Sequence, residues 1–210
     1  MRVLVACEES ATVRDAFAAL GHDAWSCDIK PSRNGGQHFR ENVLEVIYCH
    51  DWDLMIAHPP CTYLANVQAI HYDENKWPLS TELRKQKREK AIEFFNLLKA
   101  SPIDKIVIEN PLPQKYVTDR VGKYDQIVHP YMFGDPFSKK TCLWLKNVPP
   151  LEPTNIVHKG EFNIGKGKRT NAKWYHDLPP KDRAKIRSKT FPGIARAMAE
   201  QWGGKVLQEN

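Results

Sequence analysis

The chain has 210 residues, of which 41% are hydrophobic and 27% charged, a balance typical of a soluble globular protein and not of a disordered or membrane-embedded one. No apolar run approaches the roughly 20 residues that a membrane-spanning helix needs, and Met1 leads straight into a charged, strand-like segment, so we expect one domain over residues 1–210 in the cytoplasm. The net charge of +6 permits a polyanionic partner without requiring one.

The cysteine pattern limits the kind of site that the chain can form. The five cysteines are widely spaced, odd in number and contain no C-x-x-C pair. This pattern argues against a disulfide framework and against a zinc site. We therefore expect at least one thiol outside any disulfide and no bound metal.

Apolar, β-rich runs alternate with stretches in which apolar residues recur at helical spacing. Val13, Phe17 and Leu20 have such spacing before Gly21, and Ser80 can cap a second helix. In chain order the pattern predicts a strand at 2–6, a helix at 11–20, a strand at 22–29, a loop at 30–40, a strand at 52–57, a helix at 80–100, strands at 105–108 and 141–145, and a helix at 193–202.

Strands that alternate with helices at this spacing indicate an α/β fold, a mostly parallel sheet with helices on both faces. In such sheets ligands bind outside the carboxyl ends of the strands. Glu8, Asp28, Cys61 and Glu109 each follow or end a predicted strand. We therefore expect these four side chains at one edge of the sheet, where they form the candidate active site.

Cys61 lies in a stiff turn, because Pro59 and Pro60 directly precede it. Carbon 5 of a pyrimidine is a poor nucleophile, and adding a thiolate at carbon 6 turns it into an enamine-like centre that can accept a methyl group. Taken alone, Cys61 fits a buried structural cysteine equally well. Glu109 at the same edge suits hydrogen bonding to N3 and the exocyclic group, so the pair favours catalysis.

The order of these residues resembles that of the cytosine-5 DNA methyltransferases, in particular the short methylase-like proteins of bacteriophages. Pro60-Cys61 resembles the Pro-Cys nucleophile motif, and Glu109-Asn110 resembles the Glu-Asn-Val motif, with Pro111 in place of Val. The resemblance implies a Rossmann-like methyltransferase fold that uses S-adenosylmethionine, or a carboxylated or otherwise modified analogue. It also implies DNA as the partner, Cys61 as nucleophile and Glu109 as acid.

The same resemblance implies a cofactor site. Asp28 matches the acid that binds the cofactor ribose, and Asn42 falls near the adenine position. The family's Phe-x-Gly-x-Gly-Gly loop corresponds to residues 7–12, which contain no glycine, so we expect Glu8 or Glu9 to pair with the cofactor's amino group. The implied cofactor-binding residues are Cys7, Glu8, Glu9, Asp28, Asn42 and Pro59.

Substrate recognition departs from the family pattern. Lys139-Lys140 falls where the family has Gln-x-Arg-x-Arg, and residues 152–186 replace a large target-recognition domain. Such a short insertion cannot bury the ~600 Å² of a specific DNA reader, so specificity is expected to be low or supplied by a protein partner. The implied substrate-binding residues are Pro60, Tyr63, Asn110, Lys139, Lys140, Lys168, Arg169 and Trp174.

Within the insertion, the basic and aromatic side chains suit phosphate contact and base stacking on a single strand, although a solvated loop with a packed Trp174 fits equally well. Residues 62–78 lie where the family has a mobile loop that closes over the base, and they include Tyr63, His71 and Trp77. His58 is a second-rank candidate that would lower the pKa of Cys61.

Alternatives to DNA cytosine methylation remain at this stage. The amino-methyltransferases carry an aromatic residue where this chain has Cys61, which favours carbon chemistry. The same chemistry could act on a free pyrimidine nucleotide or on RNA, or transfer another alkyl group. A non-catalytic relative that binds the cofactor or DNA as a decoy against host restriction is a further alternative, although such a binder needs neither Cys61 nor Glu109.

Overall fold

The computed structural model describes residues 1–72, 78–164, 170–176, 179 and 188–204. Its largest element is a seven-stranded sheet with the strand order β3-β2-β1-β4-β5-β7-β6. The strands are β1 (Arg2–Ala6), β2 (Asp23–Cys27), β3 (His38–Phe39), β4 (Leu54–Ala57), β5 (Lys105–Pro111), β6 (Gln126–Val128) and β7 (Thr141–Lys146).

Helices connect most of these strands. They are α1 (Thr12–Ala18), α2 (Val43–Cys49), α3 (Pro78–Lys99), α4 (Lys115–Val121), α5 (Lys173–His176) and α6 (Pro192–Met198), with 3-10 helices at Asn66–Tyr72 and Pro130–Met132. A π-helical turn over Ala199–Gly203 continues α6. A two-stranded antiparallel hairpin, β8 (Phe162–Ile164) and β9 (Thr170–Ala172), stands apart from the main sheet.

The sheet is parallel except at one strand. β1 lies in the centre, where Val3 pairs with Ala24 of β2 and with Leu54 of β4 in parallel register. β7 inserts between β5 and β6 and runs antiparallel to both, so β6 is parallel to β5. The predicted Rossmann-like α/β fold, a mostly parallel sheet with helices, is confirmed.

Successive side chains of β1 alternate between two hydrophobic cores, as the pleat of a strand requires. Leu4 and Ala6 face the core that α2, α3 and α4 cover. Val3 and Val5 face the core that α1 and α6 cover. All four side chains are fully buried. Helices therefore cover both faces of the sheet, and the ends of the strands lie between these two layers.

Several elements differ from the sequence-based prediction. The predicted helix at 80–100 begins two residues earlier, at Pro78, and β5 continues beyond residue 108 to Pro111. The prediction missed α2, α4, β3, β6 and the β8–β9 hairpin, because each is short and carries only a weak periodic pattern. In the described part of the chain, no helix is long and apolar enough to span a membrane.

Candidate active site at the carboxyl edge of the sheet

Three neighbouring parallel strands end side by side. The register sets Ala6 of β1 beside Ala57 of β4, and Ala57 beside Ile108 of β5. The amide of His58, directly after β4, donates to the carbonyl of Ala6 at 2.9 Å. The strand ends therefore bring the residues after Ala6, Ala57 and Ile108 to one edge, the position at which parallel α/β sheets bind ligands.

Cys61 sits at the start of a tight turn beyond β4. Its carbonyl accepts hydrogen bonds from the amides of Leu64 and Ala65, at 3.1 and 3.0 Å. Before the turn, the side-chain amide of Asn110 donates to the carbonyl of Pro59 at 2.8 Å and ties the turn to β5. Asn110 is buried, whereas Cys61 is half-buried at the surface of the edge. The turn that bears Cys61 is therefore attached to the end of β5.

Glu109 is buried and interacts with a histidine that precedes the turn. The Nδ1 atom of His58 lies 3.0 Å from a carboxylate oxygen of Glu109. Burial alone raises the pKa of Glu109, but the hydrogen bond from His58 and the positive charge of Lys139 outweigh it, so the pKa lies below its usual value. Glu109 is therefore ionised in the unliganded protein near neutral pH.

An ionised carboxylate only accepts hydrogen bonds, so Nδ1 of His58 must donate to Glu109. The other ring nitrogen, Nε2, is buried and has no hydrogen-bond partner within the described residues. From the sequence we expected His58 to act on the Cys61 thiol. The contact in the structure is with Glu109, whose proximity follows from the β4–β5 register and is not visible in the sequence alone.

The loop between β1 and α1 is organised by Glu8. Its buried carboxylate accepts hydrogen bonds from the amides of Val13 and Arg14, at 2.8 and 3.2 Å, and from the Ser10 hydroxyl at 3.0 Å. These amides belong to the first turn of α1, whose amide groups have no partner within the helix. Glu8 therefore caps α1, and this contact differs from the cofactor contact that we expected for it.

The same loop adopts glycine-like backbone conformations without glycine. Cys7 has φ 60° and Ala11 has φ 64°, both in the left-handed region that favours glycine. Burial raises the pKa of the Cys7 thiol far above its usual value, and the nearby Asp28 carboxylate raises it further. A thiol with so high a pKa is protonated at neutral pH, so Cys7 is unsuited to act as a nucleophile.

The end of β2 carries the residues expected at the cofactor. One carboxylate oxygen of Asp28 accepts from the Lys30 amide at 2.9 Å, and no hydrogen bond from the described residues engages the second oxygen, which can therefore face a ligand. Beside it, Ile29 is a large apolar side chain that is 75% exposed, and the sequence pattern alone does not predict this exposure. Glu9 forms ion pairs with Lys30 and Arg33 instead of lying unpaired.

Asn42 occupies a structural position near this end of the sheet. Its side-chain oxygen accepts from the Leu44 amide at 3.1 Å and caps α2. Asn42 is exposed. Its side-chain oxygen can therefore bind a ligand in addition to the Leu44 amide, or in place of that amide.

Three of the expected substrate-binding residues, Lys139, Lys140 and Trp174, have different surroundings. The ammonium of Lys139 lies 3.4 Å from the carbonyl of Lys189, whereas Lys140 is exposed. Trp174 packs against Phe137 and Phe191, with ring centroids 5.4 Å from each, and its indole nitrogen donates to the Ser138 carbonyl. The substrate candidates Lys168 and Arg169 lie outside the described residues, as does Trp77.

No protein-family model matches the sequence, and none of the curated proteins matches it. Two solved structures are similar in fold. One is described as a DNA modification methyltransferase encoded within a prophage of E. coli (17% identity, TM-score 0.48, 75% of this chain and 52% of that one). The other is the Entamoeba histolytica methyltransferase EhMeth (15% identity, TM-score 0.47, 77% and 57%). This chain therefore spans just over half the length of either structure.

Proposed function

We propose that this protein transfers a methyl group, or a related alkyl group, from S-adenosylmethionine to carbon 5 of a pyrimidine, with cytosine in DNA as the substrate and Cys61 as the nucleophile. The observation that carries the proposal is the joint placement of Cys61 and Glu109. The turn that bears Cys61 follows β4, Glu109 lies in the adjacent β5, and the hydrogen bond from Asn110 to Pro59 joins the two.

In the proposed reaction, the Cys61 thiolate forms a bond to carbon 6 of the ring, and the ring electrons move toward carbon 5 and N3. S-adenosylmethionine, when bound, supplies an electrophilic methyl group. Carbon 5 forms the new bond to that methyl group, a base then removes the carbon 5 proton, and the electrons of that bond expel Cys61 from carbon 6. Cys61 is regenerated, so the thiol acts catalytically.

Glu109 would act at the opposite side of the ring from the bond to Cys61. As an ionised carboxylate it can accept a hydrogen bond from the exocyclic amino group of cytosine. N3 becomes more basic once the thiolate has added, and it then needs a proton. Glu109 would take up that proton from solvent, deliver it to N3 and accept it back when Cys61 leaves, while the hydrogen bond from Nδ1 of His58 orients the carboxyl group.

The end of β2 would hold the cofactor. The second carboxylate oxygen of Asp28 can accept from a ribose hydroxyl, and the exposed Ile29 can pack on the adenine ring. Glu8, by capping α1, and Ala11, by its left-handed conformation, fix the β1–α1 loop. The other residues proposed to contact the cofactor are Cys7, Glu9, Asn42 and Pro59. The residues present fit the cofactor at Asp28 and Ile29, although the loop lacks the glycines of the related family.

The polynucleotide would lie over the opposite end of the site. Lys140 is exposed, and its ammonium can contact a phosphate next to the target base. Pro60 directly precedes Cys61 and Tyr63 follows it by two residues, while Asn110 donates to the carbonyl of Pro59. Lys139 lies close enough to Glu109 to lower its pKa. Because residues 152–186 are few, we propose that sequence specificity is low or comes from a protein partner.

The experiment that tests this function is a covalent trap. Fluorine at carbon 5 blocks the last elimination, so DNA containing 5-fluorocytosine should remain attached to the protein in the presence of S-adenosylmethionine. Intact mass spectrometry and peptide mapping should place the adduct on Cys61. Cys61→Ser should abolish it, whereas Cys49→Ser, a change at an exposed cysteine, should not.

Parallel trapping reactions identify the substrate. The 5-fluorocytosine base is offered as a free nucleotide, in RNA, in single-stranded DNA and in duplex DNA. Adduct formation with the nucleotide or RNA but not with DNA would replace the proposed substrate and keep the chemistry. Binding of S-adenosylmethionine without an adduct on any of the four would overturn the catalytic proposal and favour a cofactor-binding decoy.

A further inference from the structure

A buried guanidinium lies behind the segment that carries Cys61. Arg88, on α3, is only 9% exposed, and its Cζ atom lies 4.4 Å from the ring centroid of Tyr72 and 3.9 Å from that of Tyr116. Two aromatic rings at these distances stabilise a cation through their negative faces. Tyr72 ends the 3-10 helix that follows Cys61, so this contact joins α3 to the cysteine segment.

Arg88 also makes a hydrogen bond that leads directly to the cysteine turn. Its Nη1 atom donates to the side-chain oxygen of Gln114 at 3.2 Å. The side-chain nitrogen of Gln114 donates in turn to the carbonyls of Tyr63 and Ala65, at 3.0 and 3.4 Å. Gln114 is 5% exposed, and its bonds to Arg88 and to the Ala65 carbonyl are buried, whereas the bond to Tyr63 is partly buried. The guanidinium thereby fixes the amide group that holds the turn.

The backbone reinforces this arrangement. The amide of Gln114 donates to the carbonyl of Leu64 at 2.9 Å, and the amide of Asn66 donates to the carbonyl of Leu112 at 2.8 Å. Ala65 and Pro113 form an antiparallel bridge between them. Residues 64–66 are therefore attached to residues 112–114, which directly follow β5 and its Glu109.

We propose that Arg88 is a positioning residue: through Gln114 and Tyr72 it holds the Cys61 turn in register with Glu109 while the thiol attacks the base. The inference rests on the proposed function only in taking Cys61 as the nucleophile. Arginine is required because a planar guanidinium can stack between two rings and donate in its own plane to Gln114. Lysine carries the charge but lacks that plane.

The test compares Arg88→Lys with Arg120→Lys. Arg120 makes a matched control, because it also lies over the Tyr116 ring, at 5.8 Å, but it is half-exposed and pairs with Glu89. Hydrogen exchange should quicken by about ten-fold at the amides of Leu64, Ala65, Asn66 and Gln114 in Arg88→Lys, the effect of losing one buried hydrogen bond. Exchange in β1 and β4 should stay unchanged, and Arg120→Lys should match the wild type.

Two further readouts connect the turn to the thiol. Alkylation of Cys61 by iodoacetamide, measured relative to exposed Cys49 in the same sample, should be faster in Arg88→Lys because the half-buried thiol is held less firmly. The rate of adduct formation on 5-fluorocytosine DNA should fall by about ten-fold, whereas the Kd of S-adenosylmethionine should not change. If the wild type forms no adduct, the proposed function fails, but exchange and alkylation still test the role of Arg88.

Gln114→Glu provides a second variant that keeps Arg88. The new carboxylate still accepts from Arg88, but it cannot donate to the carbonyls of Tyr63 and Ala65. It should reproduce the faster exchange at residues 64–66 even if Arg88→Lys proves too unstable to study. Exchange and Cys61 alkylation at wild-type rates in both variants would overturn the inference.

Discussion

The imidazole of His58 and the carboxylate of Glu109 form a largely buried hydrogen-bonded pair, with 3.0 Å between Nδ1 and Oε2. His58 directly follows β4 and precedes Cys61 by three residues, and Glu109 lies near the end of β5, so the pair joins the ends of the two strands. Glu109 is kept ionised against the effect of burial by His58 and by the charge of Lys139. A carboxylate in this state can accept a hydrogen bond from the exocyclic amino group of cytosine, as the proposed chemistry needs.

Removing His58 should raise the pKa of Glu109, because burial then acts with less opposition. We expect the Glu109 carboxyl to titrate at a higher pH in His58→Asn than in the wild type. The side-chain carboxyl carbon, assigned by comparison with Glu109→Gln in a ¹³C NMR titration, reports this directly. The same titration curve in His58→Asn and in the wild type would show that His58 does not control Glu109.

The pH dependence of stability follows from the same shift. Because the pKa of Glu109 is lower in the folded than in the unfolded chain, its ionised form stabilises the fold above about pH 4.3, and this stabilisation is lost as the pH falls through the lower, folded-state pKa. Urea unfolding should therefore show the largest difference between the wild type and Glu109→Gln near pH 7 and a smaller one near pH 3. A difference that grows toward pH 3 would contradict the lowered pKa.

Substitution of Glu8 should lower the stability of the fold, whereas substitution of Asp28 should weaken cofactor binding. Glu8→Gln removes the charge that caps α1, so the free energy of unfolding should fall by about 1–2 kcal/mol, with little change in the Kd of S-adenosylmethionine. Asp28→Asn should leave stability nearly unchanged and weaken cofactor binding by about ten-fold, the loss of one charge-assisted hydrogen bond. Calorimetric titration and urea unfolding measure the two effects, and the reverse assignment would show that Glu8 is the cofactor ligand.

The sequence predicted the parts of the site that depend on strand order. Apolar runs located β1, β4 and β5, and the rule for parallel sheets then brought Glu8, Cys61 and Glu109 to one edge. That rule gives the edge but not the direction of each side chain. The capping role of Glu8 depends on where α1 begins, and the partner of His58 depends on the register between β4 and β5.

The burial of Arg88 could not be predicted from the sequence either. In the sequence it is one of several basic residues in the stretch from Arg84 to Lys90, which has the appearance of a solvated helix face. Its burial depends on Tyr72 and Tyr116, which come from two other segments of the chain. Helical periodicity alone cannot distinguish a buried arginine from its exposed neighbours.

The left-handed conformation of Ala11 should limit which residues the β1–α1 loop accepts. Ala11 has φ 64°, where a β-branched side chain is strongly disfavoured, so Ala11→Val should lower the free energy of unfolding by about 2–3 kcal/mol. Ala11→Gly is the matched control and should stay within about 1 kcal/mol of the wild type, because relief of strain offsets the loss of a buried methyl group. Equal destabilisation by both, measured by urea unfolding, would show that packing and not the backbone limits this position.

Substitution of Lys140 should weaken nucleic-acid binding, whereas substitution of Trp174 should lower the stability of the fold. Lys140 is exposed, so Lys140→Ala should weaken single-stranded DNA binding and reduce the slope of log K against log salt by about 0.7, the contribution of one phosphate contact. Trp174 packs against Phe137 and Phe191 but is only half-buried, so Trp174→Ala should lower the free energy of unfolding by about 2 kcal/mol, less than for a fully buried Trp, and leave that slope unchanged. Fluorescence anisotropy over a salt series, with unfolding measured in parallel, tests both. If Trp174→Ala weakens DNA binding at full stability, its indole stacks on bases and the packing role is wrong.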